Sequence, residues 1–265
     1  MSIAGSDNSA GAGAQADLKT FSALGIYGVT AITCVVAEVP GKVSAIQPIE
    51  PGIVAEQIRL LFEAFPIAAV KTGLLYSREI IEAVADALQP GIPLVVDPVM
   101  VSTSGHSLLQ QDAIALYRER LFPMARVITP NLAEAAVLLG RPLANLDDMR
   151  AGACELAAQF GTALLLKGGH LREAVATDLL CDGSEIYEFS VPFVPGVSTH
   201  GTGCTYSAAI AAEIARGCKL VEAVASAKRF VTKAITNHLR WEKDGRATDA
   251  LHHFAQMDGE SWNAH

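Results

Sequence analysis

Residues 93–139 read PLVVDPVMVSTSGHSLLQQDAIALYRERLFPMARVITPNLAEAAVLL, and this stretch decides the fold. Two short apolar runs, Pro93–Asp97 and Arg126–Thr129, are each followed by a pattern typical of a helix, at Asp112–Arg120 and Leu132–Leu139. Strands and helices that alternate in this way form right-handed βαβ units. The stretch therefore predicts an α/β protein with a mostly parallel sheet covered by helices on both faces.

The same alternation continues on both sides of this stretch. Further strand-like runs occur at Val29–Val36, Ile67–Lys71 and Ala163–Lys167. Further helical patterns occur at Ala14–Leu24, Gly52–Ala64, Arg78–Leu88, Met149–Phe160, Thr205–Arg216 and Val221–Leu239. We find no repeat, linker or break in composition, and we therefore predict a single domain over residues 1–265.

The two ends of the predicted sheet differ from its middle. Only Ser2-Ile3-Ala4 precede a turn-like Gly5-Ser6-Asp7, so the first strand is expected to be short. After Lys167, the runs Ala174–Cys181 and Tyr187–Val191 are separated by Asp182-Gly183-Ser184. This pattern predicts a β-hairpin that adds antiparallel strands at one edge.

Composition restricts the class of protein. Half of the residues are hydrophobic, yet no apolar run reaches the roughly 18 residues of a membrane span. The net charge of −8 comes without a Lys/Arg cluster, which argues against a nucleic acid or a membrane surface as partner. Five cysteines show neither CxxC nor Cys/His spacing, and the N-terminus lacks a secretory pattern. We expect a cytoplasmic protein that acts on a small molecule.

The segment Thr199-His200-Gly201-Thr202-Gly203-Cys204-Thr205 has the pattern of an anion-binding turn. Its glycines allow the backbone N–H groups to converge, and the helix that follows adds the positive end of its dipole. The predicted ligand is therefore a phosphate. Cys204 falls in the first helical turn, where the dipole favours a thiolate and makes it a candidate base. The alternative is a small buried cysteine without a catalytic role.

Polar residues follow three of the predicted strands, where an open parallel sheet binds its ligands. Asp97 ends one strand, and Asn131 and Glu134 begin the helix after the next. Their oxygens suit a Mg²⁺ ion in a phosphoryl-transfer site, although Asn131 and Glu134 also form the pattern of a capping box. Lys167 precedes Gly168-Gly169, so its side chain can lie beside a bound nucleotide or can simply be solvated.

The loop from Ala4 to Asp17 consists mostly of small residues. It matches neither the dinucleotide fingerprint nor a P-loop. Small residues allow the backbone to approach a bound molecule, and Asp17 is a candidate hydrogen-bond partner for it. Alternatively, Asp17 only complements the N-terminus of its helix.

Taken in order, the segments AGSDNSAGAGAQADLKTFSALGIYG, KTGLL, VVDPVM, SGHSLL, ITPNLAEAAVLLG, LLLKGGH and HGTGCT resemble the hydroxymethylpyrimidine/phosphomethylpyrimidine kinases of thiamin biosynthesis. The resemblance covers residues 2–239, with an echo at Leu251-His252-His253-Phe254. It implies a ribokinase-like three-layer sandwich that uses ATP and Mg²⁺. The implied reaction phosphorylates a hydroxymethyl oxygen and then the resulting phosphate, and a homodimer is possible, as in related kinases.

The resemblance also implies roles for individual residues. The anion hole would consist of Gly201, Thr202, Gly203 and Cys204, with Cys204 in the position of the base. The pyrimidine ring would contact Asp17, Leu74 and Val99, in a substrate site that includes Gly5 and Glu38. Mg²⁺ would be organised by Asn131 and Glu134, and ATP would be approached by Asp97, Lys167 and Thr199.

Two positions depart from the family pattern. The family usually has Ala-Gln-Asn where this chain has Ala37-Glu38-Val39, and a Met where it has Leu74. An ionised Glu38 accepts hydrogen bonds but cannot donate them, so the hydrogen-bond pattern or protonation of the ring can differ here. A pyridoxal-type kinase and a non-catalytic pyrimidine- or nucleotide-binding protein remain alternatives.

Overall fold

The computed structural model describes residues 1–100, 111–169, 175–197 and 200–255. The strands of its main sheet are β1 (Ser2–Asp7), β2 (Thr30–Val39), β3 (Lys42–Pro48), β4 (Val70–Thr72), β5 (Leu94–Val96), β6 (Val127–Ile128), β7 (Ala163–Leu166), β8 (Val175–Asp182) and β9 (Glu185–Pro192). The helices are α1 (Gly13–Ala23), α2 (Pro51–Ala64), α3 (Arg78–Ala87), α4 (Gln111–Leu116), α5 (Leu132–Leu139), α6 (Leu146–Phe160), α7 (Thr202–Ala215) and α8 (Leu220–Thr236). A separate hairpin consists of β10 (Leu239–Lys243) and β11 (Arg246–Ala250).

In the described residues the main sheet has the strand order β3-β2-β1-β4-β5-β6-β7-β8-β9. The strands from β2 through β7 in this order are parallel, and β3 and the β8–β9 hairpin add antiparallel strands at opposite edges. The predicted mostly parallel sheet and the β8–β9 hairpin are therefore confirmed. Sequence reasoning missed β3, although Pro40-Gly41 forms a two-residue turn in which Gly41 has a φ of +82°.

Alternate side chains of the central strands point to opposite faces of the sheet, and each face has its own core. Leu94 and Val96 of β5 pack in the core that includes residues of α2 to α6. Val95, between them, packs in the core formed with α1, α7 and α8. The two cores confirm the predicted three-layer sandwich.

Two other predicted elements need correction. The first strand is not short: β1 includes Gly5-Ser6-Asp7, because β2 pairs with it as far as Asp7 opposite Val36, with a register shift between Ala4 and Ser6. The helix predicted at Asp112–Arg120 is α-helical only through Leu116, and a π-helical turn spans Tyr117–Leu121. Among the described helices, none is long and apolar enough to cross a membrane.

Candidate active site

A cavity of about 400 Å³ lies where the carboxyl ends of the parallel strands meet the N-terminus of α7. The predicted site residues that line it are Gly5, Glu38, Leu74, Asp97, Val99, Asn131, Glu134, Lys167, Gly201, Thr202, Gly203 and Cys204. Asp17 does not line it, and Thr199 lies outside the described residues, as do the segment SGHSLL and His170. One cavity thus collects predicted site residues from Gly5 to Cys204, which are 199 positions apart in the chain.

The turn before α7 has the geometry of an anion site. Gly201 is the N-cap of α7 with a φ of +81°, and a Cβ there would lie 1.8 Å from the carbonyl oxygen of Gly11, so only glycine fits. Within the described part of the chain, no side chain caps this helix end, and the buried Thr202 Oγ1 has no hydrogen-bond partner. The free N–H groups and this hydroxyl are suited to hold a phosphate.

Cys204 lines the cavity and is partly exposed to it. Burial raises the pKa of its thiol to about 11, although the ammonium of Lys71 and the backbone N–H of Gly13 act in the opposite direction. The predicted thiolate is therefore wrong for this structure, because desolvation outweighs a helix-dipole effect worth at most about 2 kcal/mol. The role of Cys204 as the base stays a prediction.

Asp97 and Lys167 form an ion pair beside the anion turn. Lys167 Nζ lies 2.8 Å from Asp97 Oδ1, and the hydroxyls of Thr129 and Ser207 donate to the same carboxylate at 3.1 and 3.2 Å. Burial opposes the charge of Asp97, but the ammonium groups of Lys167 and Lys71 and the hydroxyl of Thr129 lower its pKa below the usual value. A Cβ on Gly203 would lie 3.1 Å from Lys167 Nζ, so the ion pair is directly against the turn.

Asn131 and Glu134 form the capping box of α5 and also face the cavity. Asn131 N–H donates to Glu134 Oε2 at 2.8 Å, and Glu134 N–H donates to Asn131 Oδ1 at 2.9 Å. Burial raises the pKa of Glu134 to about 7, although Lys167 acts in the opposite direction, and Asp97 makes a smaller contribution that raises it. The predicted capping box is confirmed. The role of Asn131 and Glu134 in binding Mg²⁺ stays a prediction, and the capping box does not contradict it.

Asp17 lies beneath the cavity, fully buried. Its two carboxylate oxygens lie 2.9 and 2.8 Å from Lys71 Nζ, and Ser2 Oγ donates to it. Lys71, and not Asp17, lines the cavity. Sequence reasoning missed Lys71, which lies in the middle of the three-residue strand β4. Its place at the start of the quoted segment KTGLL was the available signal.

Asp7 and His200 were also missed as site residues. Asp7 accepts hydrogen bonds from the backbone N–H groups of Ser9 and Ala12, both at 2.7 Å, and lies 3.2 Å from His200 Nε2. These bonds hold the pKa of Asp7 at about 2 in spite of burial. Asp7 thereby connects the loop after β1 to the anion turn. Reading Gly5-Ser6-Asp7 as a turn concealed its place at the end of a strand.

The other end of the cavity contains a second buried ion pair. Lys228 of α8 pairs with Asp178 of β8 at 2.5 Å, and the carboxylate also accepts from the N–H of Gly168 at 2.9 Å. Val191 and Val231 add apolar lining on this side. Nothing in the local pattern marks Lys228 and Asp178, which are 50 residues apart in sequence.

The fold and the cavity together define a small-molecule kinase with the ribokinase-like fold. The structure resembles that of Bacillus subtilis pyridoxal kinase in complex with ADP, with a TM-score of 0.86, 36% identity and coverage of 96% of both chains. It also resembles a phosphomethylpyrimidine kinase from Clostridium difficile 630, with a TM-score of 0.77, 40% identity and coverage of 88% of this chain and 97% of that one.

Sequence comparison identifies the family. The model of the phosphomethylpyrimidine kinase family matches residues 7–249, and the chain belongs to that family. A hydroxymethylpyrimidine/phosphomethylpyrimidine kinase from Rhizobium meliloti (strain 1021) is 46% identical over 256 residues, which are 96% of this chain and 96% of the relative.

Proposed function

We propose that this protein uses ATP to phosphorylate the hydroxymethyl group of 4-amino-5-hydroxymethyl-2-methylpyrimidine and then the resulting monophosphate, in thiamin biosynthesis. The observation that carries the proposal is the N-terminus of α7, which no side chain of the described residues caps and which shares one cavity with Cys204 and the Asp97–Lys167 pair. An anion site beside a proton-transfer group and a cation is what phosphoryl transfer to an alcohol requires.

ATP fits the described cavity in two parts. The apolar lining near Val191 and Val231 can pack against the base. The triphosphate can then reach Thr202 Oγ1, the buried hydroxyl that lacks a partner among the described residues, and the ammonium group of Lys167. Both are donors, as polyphosphate binding needs.

Mg²⁺ is part of this proposal, because oxygen ligands line the cavity next to the anion turn. Asn131 and Glu134 would hold the ion, directly or through water, with Asp97 near it. When bound, Mg²⁺ would neutralise charge on the phosphates during transfer. The carboxyl group of Glu134 is already oriented by two backbone N–H groups, those of Asn131 and Met100.

In the proposed step, the hydroxymethyl oxygen bonds to the γ-phosphorus while the bond from that phosphorus to the bridging oxygen of ADP breaks. Cys204 Sγ, which is partly exposed in the cavity, first releases its thiol proton to solvent, and the resulting thiolate then accepts the hydroxyl proton. The ammonium of Lys71 stabilises the thiolate electrostatically. Lys167 and the first N–H groups of α7 offset the charge that develops on the phosphoryl oxygens.

A pyridoxal-type kinase is the second candidate. The TM-score of 0.86 to the pyridoxal kinase exceeds the value of 0.77 to the phosphomethylpyrimidine kinase. Pyridoxal also carries a hydroxymethyl group on a heteroaromatic ring.

Homodimer formation stays a prediction.

A coupled assay of ADP release tests these candidates. The pyrimidine alcohol, its monophosphate, pyridoxal and ribose are supplied separately with ATP and Mg²⁺. We expect turnover with the alcohol and its monophosphate. A Lys167→Met variant, prepared in parallel, should release no ADP and so excludes a contaminating kinase. ADP release with pyridoxal alone would favour the second candidate, and none with any substrate would refute catalysis.

A further inference from the structure

Glu38, the residue that departs from the family pattern, lies in a defined place in the cavity. It follows a register shift near the end of β2, and its backbone N–H donates to Asn8 Oδ1 at 2.7 Å. Its side chain is half-buried and lines the cavity together with Leu74 and Val99. No described group donates a hydrogen bond to the Glu38 carboxyl, so its oxygens are available to a ligand.

The charged surroundings of Glu38 disfavour a carboxylate. One carboxylate oxygen of Asp7, one of Glu38 and one ring nitrogen of His200 all lie within 4.8 Å of one another. Asp7 is held ionised by four hydrogen bonds, and His200 is directed toward Asp7. Burial raises the pKa of Glu38, Asp7 raises it further, and His200 opposes them.

Other titratable groups near Glu38 do not supply a compensating bond. Lys42 of β3 lines the same cavity, and among the described residues it forms no ion pair. Cys34 is buried in β2, and its thiol pKa is raised to about 11 by burial, with Glu38 adding to the effect. Glu38 therefore faces one fixed negative charge and one histidine that is already paired, and no described group donates a hydrogen bond to its carboxyl.

A protonated carboxyl group presents a donor and an acceptor side by side, as an amide does. An aminopyrimidine edge presents the complementary pair, an exocyclic N–H donor beside a ring-nitrogen acceptor. A carboxylate can form the same two bonds only if the ring nitrogen is protonated. In both arrangements, Glu38 and the ring together carry one proton more than an ionised Glu38 and a neutral ring carry when they are apart.

We propose that Glu38 determines ring specificity by sharing one proton with the aminopyrimidine edge, so that ring binding takes up a proton from solvent. This inference rests on the proposed function, since it assumes a ring with this edge. The binding step adds one proton from water to the Glu38–ring pair and involves no other reactant. An amide at this position makes the same bonds without the proton.

Isothermal titration calorimetry measures this proton uptake directly. The pyrimidine alcohol is titrated into the unmodified protein and into Glu38→Gln at about pH 8, in buffers that differ in ionisation enthalpy. We expect an uptake of about one proton per ring for the unmodified protein and about zero for Glu38→Gln. The affinity of the unmodified protein should also fall about tenfold per pH unit above this pH, while that of the variant stays constant.

His200→Asn is the matched control, because His200 is the histidine of the cluster that Glu38 forms with Asp7. The variant should still take up about one proton per ring, since Glu38 is unchanged. Uptake that disappears in His200→Asn and persists in Glu38→Gln would overturn the proposal.

Two further results would contradict the proposal, and one separates it from the proposed function. Zero uptake by the unmodified protein, or loss of ring binding in a folded Glu38→Gln, would refute proton sharing while the kinase assignment stands. Failure of the unmodified protein to bind or phosphorylate the pyrimidine alcohol would refute the proposed function, and the inference with it.

Discussion

The buried pair of Asp17 and Lys71 is expected to stabilise the fold more than it contributes to ring affinity. Asp17→Asn leaves the Lys71 ammonium, fully buried, without its partner. Breaking a buried ion pair in this way costs about 3–5 kcal/mol. The loss has an upper limit, because Lys71 can instead release its proton at neutral pH for about 5 kcal/mol. Since domains are commonly stable by about 5–15 kcal/mol, the variant should still fold.

Urea unfolding followed by circular dichroism measures this loss. Asp17→Asn should unfold at a lower urea concentration with an unchanged m-value. The double variant Asp17→Leu/Lys71→Met should recover most of the stability, because well-packed apolar residues often replace a buried pair without cost. Glu82→Gln, which breaks the exposed pair with Arg78, is the control and should cost no more than about 1 kcal/mol.

One result would refute this reasoning. If Asp17→Asn is as stable as the unmodified protein to within about 0.5 kcal/mol and instead shows a raised KM for the pyrimidine, Asp17 contacts the ring. The role implied by the family resemblance would then be correct, and the anchoring of Lys71 would be secondary.

Three other predictions concern catalysis, the metal and acid stability. Cys204→Ala should lower kcat roughly 10²–10⁴-fold while nucleotide affinity and Tm stay near those of a Cys218→Ala control, and near-normal turnover would remove Cys204 from catalysis. Glu134→Gln keeps the capping box but should raise the Mg²⁺ concentration needed for half-maximal activity, whereas a change in Tm alone would leave Glu134 only a capping role. Burial, with a contribution from Lys19, lowers the pKa of His253 to about 4, so an unfolded chain binds a proton between about pH 6.5 and 4 that the folded chain does not. Acidification through that window should therefore destabilise the unmodified protein by up to about 3 kcal/mol more than His253→Gln, and equal losses in both would contradict this.

Features that depend on local sequence were predictable. The alternation of apolar runs and helical patterns is local, and it was sufficient for the parallel central strands, the β8–β9 hairpin and the three layers. The turn at Gly201 was also recognisable, because glycine spacing and the following helix are properties of one short segment. The helix bounds at Leu132–Leu139 agree with the prediction, since Asn131 and Gly140 provide local start and stop signals.

Tertiary structure alone decided the partners and protonation of the site residues. Asp17 and Lys71 are 54 residues apart, and only the packing of β4 beside β1 brings the lysine to the aspartate. The length of β1 likewise depends on a partner strand and not on its own glycine. Cys204 illustrates the electrostatic limit, because the dipole of its helix can be read from sequence, while the burial that raises its pKa depends on the whole fold. Periodicity is a short-range property of a chain, whereas desolvation and charge pairing are set by atoms that are distant in sequence and near in space.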